Sequence, residues 1–162
     1  MRKNEKGNTL VEAALLVPVM VLLLMGMVEI GRITYTYYSL KKMLQTVALY
    51  ASKQQGANLC DPADPLVEAV KTNALTGDSG PIITGLTAEM ISIRIERYNS
   101  SSGDFGECEC SVSGCDIGAG GRSPDYIVVS IPDGYQVRPR IPYLPVEPIP
   151  LKPEIRVPFG AT

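Results

Sequence analysis

Hydrophobic and polar positions divide this chain into three regimes. From Ala13 to Val28 every side chain is apolar or glycine. Taken from Asn8 to Gly31 the run has about two dozen residues, enough at ~1.5 Å rise each to cross a ~30 Å hydrocarbon core. A lone segment can satisfy its backbone in lipid only as a helix. Pro18 removes one of its hydrogen bonds and predicts a mild kink. Beyond Arg32 the pattern stays helical and becomes amphipathic. Ile33, Tyr37, Leu40, Leu44, Val47 and Ala51 recur at steps of four and three, with Lys41, Lys42, Gln45 and Lys53 opposite. Tyr35, Tyr37 and Tyr38 fall just outside the apolar run, where phenol rings suit the headgroup level. Gly56 is a plausible stop. One rod from about Asn8 to Gln55 would be roughly 70 Å long. Its outer stripe is expected to pack on the chain's own domain, since the heptads are too few for a coiled coil.

In the third regime helical periodicity gives way to turns and alternation. Asp64-Pro65 is an N-cap and first-turn pair for a short helix to about Leu75, ending near Gly77. Met90 to Tyr98 alternates, with Ile91, Ile93 and Ile95 on one side and Ser92, Arg94 and Glu96 on the other. Asp125 to Ile131 forms a second strand, and Asp133-Gly134 predicts a hairpin turn into Tyr135–Arg138. The segment from Pro139 to Pro153 is too proline-rich for a central strand and should run extended on the surface. Ile155 to Phe159 is a candidate edge strand. The fold class is therefore α+β: a long N-terminal transmembrane and amphipathic helix, then a small antiparallel sheet of three or four strands packed on it.

Composition narrows the chemistry. Among 162 residues there is no histidine, so Ser-His-Asp and Cys-His devices, HExxH zinc sites and His proton shuttles are all excluded. No other catalytic constellation is visible, and the chain is read as a non-enzyme without cofactor or metal. A net charge of −2, with no long basic block, gives no reason to expect nucleic acid.

Cys60, Cys108, Cys110 and Cys115 fall in the region after the helix, three of them in a Ser- and Gly-rich loop from Asn99 to Pro124. In an exported domain four cysteines favour two disulfides, with three possible connectivities. A Cys108–Cys110 bridge would close a very small ring, so Cys60 is expected to join one of that pair and Cys115 the other. A Cys₄ metal site is the competing reading, but CxC followed by CxxxxC is not the paired-knuckle spacing. Asp104, Glu107, Glu109 and Asp116 make the loop acidic. Their spacing fits no calcium loop, and a solvated acidic loop is expected.

The start of the chain bears on function most directly. Residues 1 to 6 form a short basic leader, and Gly7-Asn8-Thr9-Leu10-Val11-Glu12 joins it to the apolar run. A secretory signal peptide also begins this way. Here, however, the run is long, and Glu29-Ile30-Gly31-Arg32-Ile33-Thr34-Tyr35 offers no convincing cleavage site after it. Glu12 places a carboxylate at the start of the apolar run, where charge is disfavoured. Glycine followed at five residues by glutamate is the prepilin processing pattern. The fuller string from Gly7 to Arg32 resembles the TadE-like family of minor pilins or pseudopilins of tight-adherence (Flp) pilus systems. The resemblance rests on Val11-Glu12, on Pro18, and on Glu29-Ile30-Gly31-Arg32 closing the run. Ordinary type IV pilins usually have phenylalanine after the cleaved glycine, where this chain has Asn8.

The resemblance implies an inner-membrane precursor cut between Gly7 and Asn8 by a prepilin peptidase. It further implies that Glu12 pairs with the new α-amino group of a neighbouring subunit. Other pilin or pseudopilin subunits and the inner-membrane assembly platform would be its partners, in pilus biogenesis, adhesion and biofilm formation. The expected domains are a leader at 1–7, a transmembrane helix at 8–31, an amphipathic extension at 32–56 and an exported domain at 57–162. The N-terminus would be cytoplasmic, an orientation that the basic leader favours only narrowly over Arg32, Lys41 and Lys42. Glu29 and Arg32, three residues apart, read either as a charge pair marking the membrane exit or as a subunit contact. The alternatives are an unprocessed, single-pass anchored binding protein and a general-secretion or type IV pseudopilin.

Overall fold

A computed structural model describes residues 5–54, 57–61, 63–77, 80–81, 83–140 and 145–160. The expected stop at Gly56, the Pro62 position, the first four leader residues and 141–144 of the proline-rich segment lie outside the described residues. Helix α1 runs from Glu5 to Lys53, 49 residues, and is continuous through Pro18. It begins three residues earlier than the apolar run alone suggests, so the leader's end is helical.

Along α1 the surroundings change abruptly. The large apolar side chains from Leu10 to Ile30 are exposed, whereas Leu40, Met43, Leu44, Val47, Ala48 and Ala51 are buried. The buried set is the expected stripe from Leu40 onward, widened by Met43 and Ala48, while Ile33 and Tyr37 of that stripe are only half-buried. Two or three residues per turn face the core, the width a globular domain needs from one helix. Helix α2, Pro65–Leu75, follows as expected. The Asp64 carboxylate caps it by accepting from the Leu66 amide, and Pro65 opens its first turn. Val67, Val70 and Ala74 form its buried face. Strands β1 (Thr76–Gly77) and β2 (Gly80–Pro81) then pair as a minimal ribbon.

The main sheet is built from β3 (Ser92–Asn99), β4 (Asp104–Glu107), β5 (Tyr126–Ser130) and β8 (Glu154–Pro158), in the order β4-β3-β5-β8, all antiparallel. Met90 closes a short 3₁₀ turn, so β3 begins two residues later than the alternation implies. Ile95, Ile127, Val129 and Val157 enter one core with the α1 stripe. On the opposite face Val128 is also fully buried. It stands in register between Arg94 and Arg156. Cross-strand pairs Arg94–Glu154 (3.3 Å) and Arg156–Glu96 (2.8 Å) lay their alkyl stems across it. The Arg156 guanidinium also stacks over Phe105 (4.6 Å) and Tyr126 (4.2 Å).

Two expectations are corrected. The loop from Asn99 to Pro124 is not all loop, because β4 folds back as a hairpin partner of β3. The turn at Asp133-Gly134 does form, with the Gly134 amide donating to the Ile131 carbonyl at 3.1 Å, but it makes no hairpin with β5. Strand β6 (Tyr135–Val137) pairs instead with β7 (Ile149–Leu151), inside the proline-rich segment. The reason is competition: both edges of β5 are already taken by β3 and β8. Gly134 has φ +78°, and a Cβ there would lie 2.9 Å from the Pro150 Cβ, so the turn requires glycine.

Leu44 is fully buried in the core, so Leu44→Ala should destabilise the domain by about 2–5 kcal/mol, read by denaturant unfolding of the detergent-solubilised chain. The Asp64 carboxyl is held below the ordinary range by hydrogen bonds from the Asn58 and Leu66 amides, against a smaller opposing effect of desolvation. Its contribution is therefore complete above the unfolded-state value of about 3.9 and lost as pH falls through the lower folded value. Asp64→Asn should flatten the fall in unfolding midpoint as pH drops below about 4. An unchanged acid limb would show that Asp64 does not govern it.

Candidate functional site

Two places on α1 carry charge that lipid alone would not tolerate. Gly7, Asn8 and Glu12 lie on the first turns of the described helix. Asn8 and Glu12 are one helical turn apart and share a face. Glu12 is exposed among Leu10, Val11, Leu15 and Leu16, each more than half exposed. Among the described side chains it makes no hydrogen bond or ion pair. So from Leu10 onward this part of the helix presents a carboxylate among exposed apolar side chains, and the described side chains supply neither a core nor a counter-charge for it.

The second place is the end of the apolar run. Glu29 is buried to 8% exposure, the one charged residue in the buried set. Arg32 forms an ion pair with it one turn later, its Nε donating to Glu29 Oε1 at 3.1 Å. Both side chains then reach a segment more than a hundred residues away. The Arg32 guanidinium donates to the Arg138 carbonyl at 2.6 Å, and the Arg140 amide donates to Glu29 Oε1 at 2.9 Å. This is a latch: two helix side chains grip the backbone of the strap that leaves β6. It gives the carboxylate two donors in place of water, which is what makes its burial tolerable. The sequence reading missed the strap's part, because Arg138 and Arg140 stand in a proline-rich run with no periodicity linking it to α1.

The cysteine loop is stapled twice, Cys60 to Cys110 and Cys108 to Cys115. The first bond ties the α1–α2 connection to the loop. The second closes the loop on Cys115, which sits in the core at 2% exposure. Asn58 adds a hydrogen bond from its Nδ2 to Asp116 Oδ1 at 3.1 Å. Acidic side chains here serve the backbone: Asp116 accepts from the Ala119 amide, Asp104 from that of Phe105, and Asp125 from that of Tyr98. Among the described residues no three acidic or cysteine side chains converge as a metal site would need.

Residues 7–49 match the family model described as TadE-like protein. The resemblance drawn from Gly7 to Arg32 is thereby shown, and the match continues into the buried stripe of α1. It ends at Leu49, so it speaks for the helix and not for the sheet domain. No curated protein and no solved structure matches the chain. The family is a structural one, and its match supports a Tad pilus-associated protein that works with other pilus components and the membrane. A single exposed apolar helix near the N-terminus fits membrane anchoring.

The latch makes a local prediction. Glu29→Ala removes the acceptor of the Arg140 amide, a charge-assisted bond worth about 1.5–3 kcal/mol. Hydrogen exchange at that amide should accelerate roughly tenfold or more, while the Val128 amide in the central strand should not change. Equal rates in both proteins would mean that the strap is held by something else.

Proposed function

We propose that this protein is a minor pilin or pseudopilin of a tight-adherence (Flp) pilus assembly system, matured between Gly7 and Asn8 by a prepilin peptidase. The observation that carries the reading is Glu12. It is a carboxylate without a partner among the described side chains, on an exposed apolar helix, within a segment that matches the TadE-like model. A charge so placed is disfavoured in lipid unless a counter-charge arrives. Cleavage after Gly7 creates one, an α-amino group at Asn8, on the same helical face as Glu12. A neighbouring subunit displaced along the helix axis can offer its own amine to this carboxylate. Electrostatics then sets the register of association, and the exposed apolar surface from Leu10 to Ile30 supplies the adhesion.

In this reading the N-terminus is cytoplasmic, the helix spans the inner membrane, and the disulfide-stapled domain is exported, consistent with an oxidising compartment. The protein's partners are the peptidase, other pilin-like subunits and the membrane assembly platform. Its contribution is to pilus biogenesis, surface adhesion and biofilm formation.

Mass spectrometry of the protein from its native host should find a chain beginning at Asn8. An intact leader would leave a plain anchored binding protein, and a chain beginning beyond Gly31 would identify a signal peptide. Glu12→Gln keeps the side-chain shape and removes the charge, so piliation should fall at least tenfold with the domain still folded. Normal piliation in that variant would sink the assembly role of Glu12.

A further inference from the structure

Charge on this protein is polarised along the helix axis. Between Glu29 and Asp61 the sequence has no acidic residue, yet it holds Arg32, Lys41, Lys42 and Lys53. The strap returns two more cations to the first of these levels. Through its carbonyl Arg138 is bound to Arg32, and through its amide Arg140 is bound to Glu29. Both residues are thus fixed at the turn of α1 where the exposed apolar run Leu10–Ile30 ends. Their side chains are exposed, and among the described residues neither enters a salt bridge. The nearby Glu29 carboxylate is already engaged by Arg32 and the Arg140 amide. Glu147 precedes β7, whose register sets Val137 opposite Ile149, and no ion pair joins it to either arginine. One turn beyond the latch, Tyr35 and Tyr38 are 75% and 66% exposed, as rings at a lipid interface are.

We propose that Arg138 and Arg140, held in place by Arg32 and Glu29, form a docking surface for anionic phospholipid headgroups of the leaflet from which the helix emerges. This rests on the membrane-spanning reading of α1 and is independent of the pilus assignment. A guanidinium fork matches two phosphate oxygens, and the latch presents the forks at headgroup level before any lipid arrives. Arginines at this exit oppose the bias that keeps cations on the cytoplasmic side; lipid phosphate supplies a partner for them there. The latch and the lipid site then act together. Glu29 and Arg32 hold the strap backbone down, and the strap side chains hold the domain to the bilayer surface.

The test uses the full chain in nanodiscs of equimolar phosphatidylcholine and phosphatidylglycerol with matched acyl chains. Lipids retained on the released protein are counted by native mass spectrometry. The unmodified chain should keep phosphatidylglycerol in several-fold excess, and R138Q/R140Q should reduce the ratio to near parity. R138K/R140K, which keeps the charge, and R2Q/K3Q/K6Q, which removes it from the opposite leaflet, should both retain the excess. Far-ultraviolet circular dichroism and intact disulfides check the folding of each variant. Should R138Q/R140Q not fold, the salt dependence of the unmodified chain decides: the excess should collapse at about 1 M salt, where screening is nearly complete within ~3 Å. Parity in the unmodified chain, an excess that survives R138Q/R140Q, one lost with the leader cations alone, or one indifferent to salt would each overturn the proposal. Recovery of the chain in the bilayer after alkaline washing reports insertion itself, so a failed anchor is told apart from a failed lipid site.

Discussion

A single helix in this protein changes from exposed to core-forming along its length, and the Glu29–Arg32 latch sits where the change begins. Below it, α1 shows apolar side chains on all sides and makes no core with the rest of the chain; above it, one stripe becomes the floor of a folded domain. Helical backbone satisfies its own hydrogen bonds in either environment, so continuity through the junction needs no special device. The side chains do need one. A carboxylate in the last apolar turn is tolerable because a guanidinium and a strap amide surround it. The same contacts fix where the domain sits on the rod, which a single packed stripe leaves free to rock.

Above the junction, the sheet domain has the problem common to small domains: limited apolar surface for the chain it must order. One face of β5 and β8 packs on α1, with Ile95 of β3 in the same core, and Val128 on the other face lies among paired charges. The cysteine loop, too poor in apolar residues to order itself, is held by two covalent links, one of which reaches back to the α1–α2 connection. Asp104, Asp116 and Asp125 are consumed as backbone acceptors, which turns an acidic stretch into structural turns.

Function follows from what the chain leaves unsatisfied. Among the described residues Glu12 has no counter-charge, and the apolar surface around it is exposed. Both deficits would be met by a second apolar helix that carries a positive charge at the level of Glu12. The TadE-like match covers this part of the chain and the buried stripe of α1 as far as Leu49, and does not extend to the sheet.

The sequence by itself determined everything governed by short-range rules. The span of α1, its buried stripe, the Asp64-Pro65 start of α2, and the cores of β3, β5 and β8 were legible because period and capping are local properties. Cys60 was rightly separated from Cys115, since ring size forbade a Cys108–Cys110 bond, but the choice of Cys110 over Cys108 needed three-dimensional proximity. Pairing of strands was decided only by tertiary structure. The turn at Gly134 was visible, yet its strand could not join β5, whose edges β3 and β8 had filled. The latch was beyond reach for the same reason. Nothing local in Arg138-Pro139-Arg140 indicates that its backbone meets Glu29 and Arg32, because contacts between residues more than a hundred positions apart are set by how the whole chain closes and not by the pattern of any one segment.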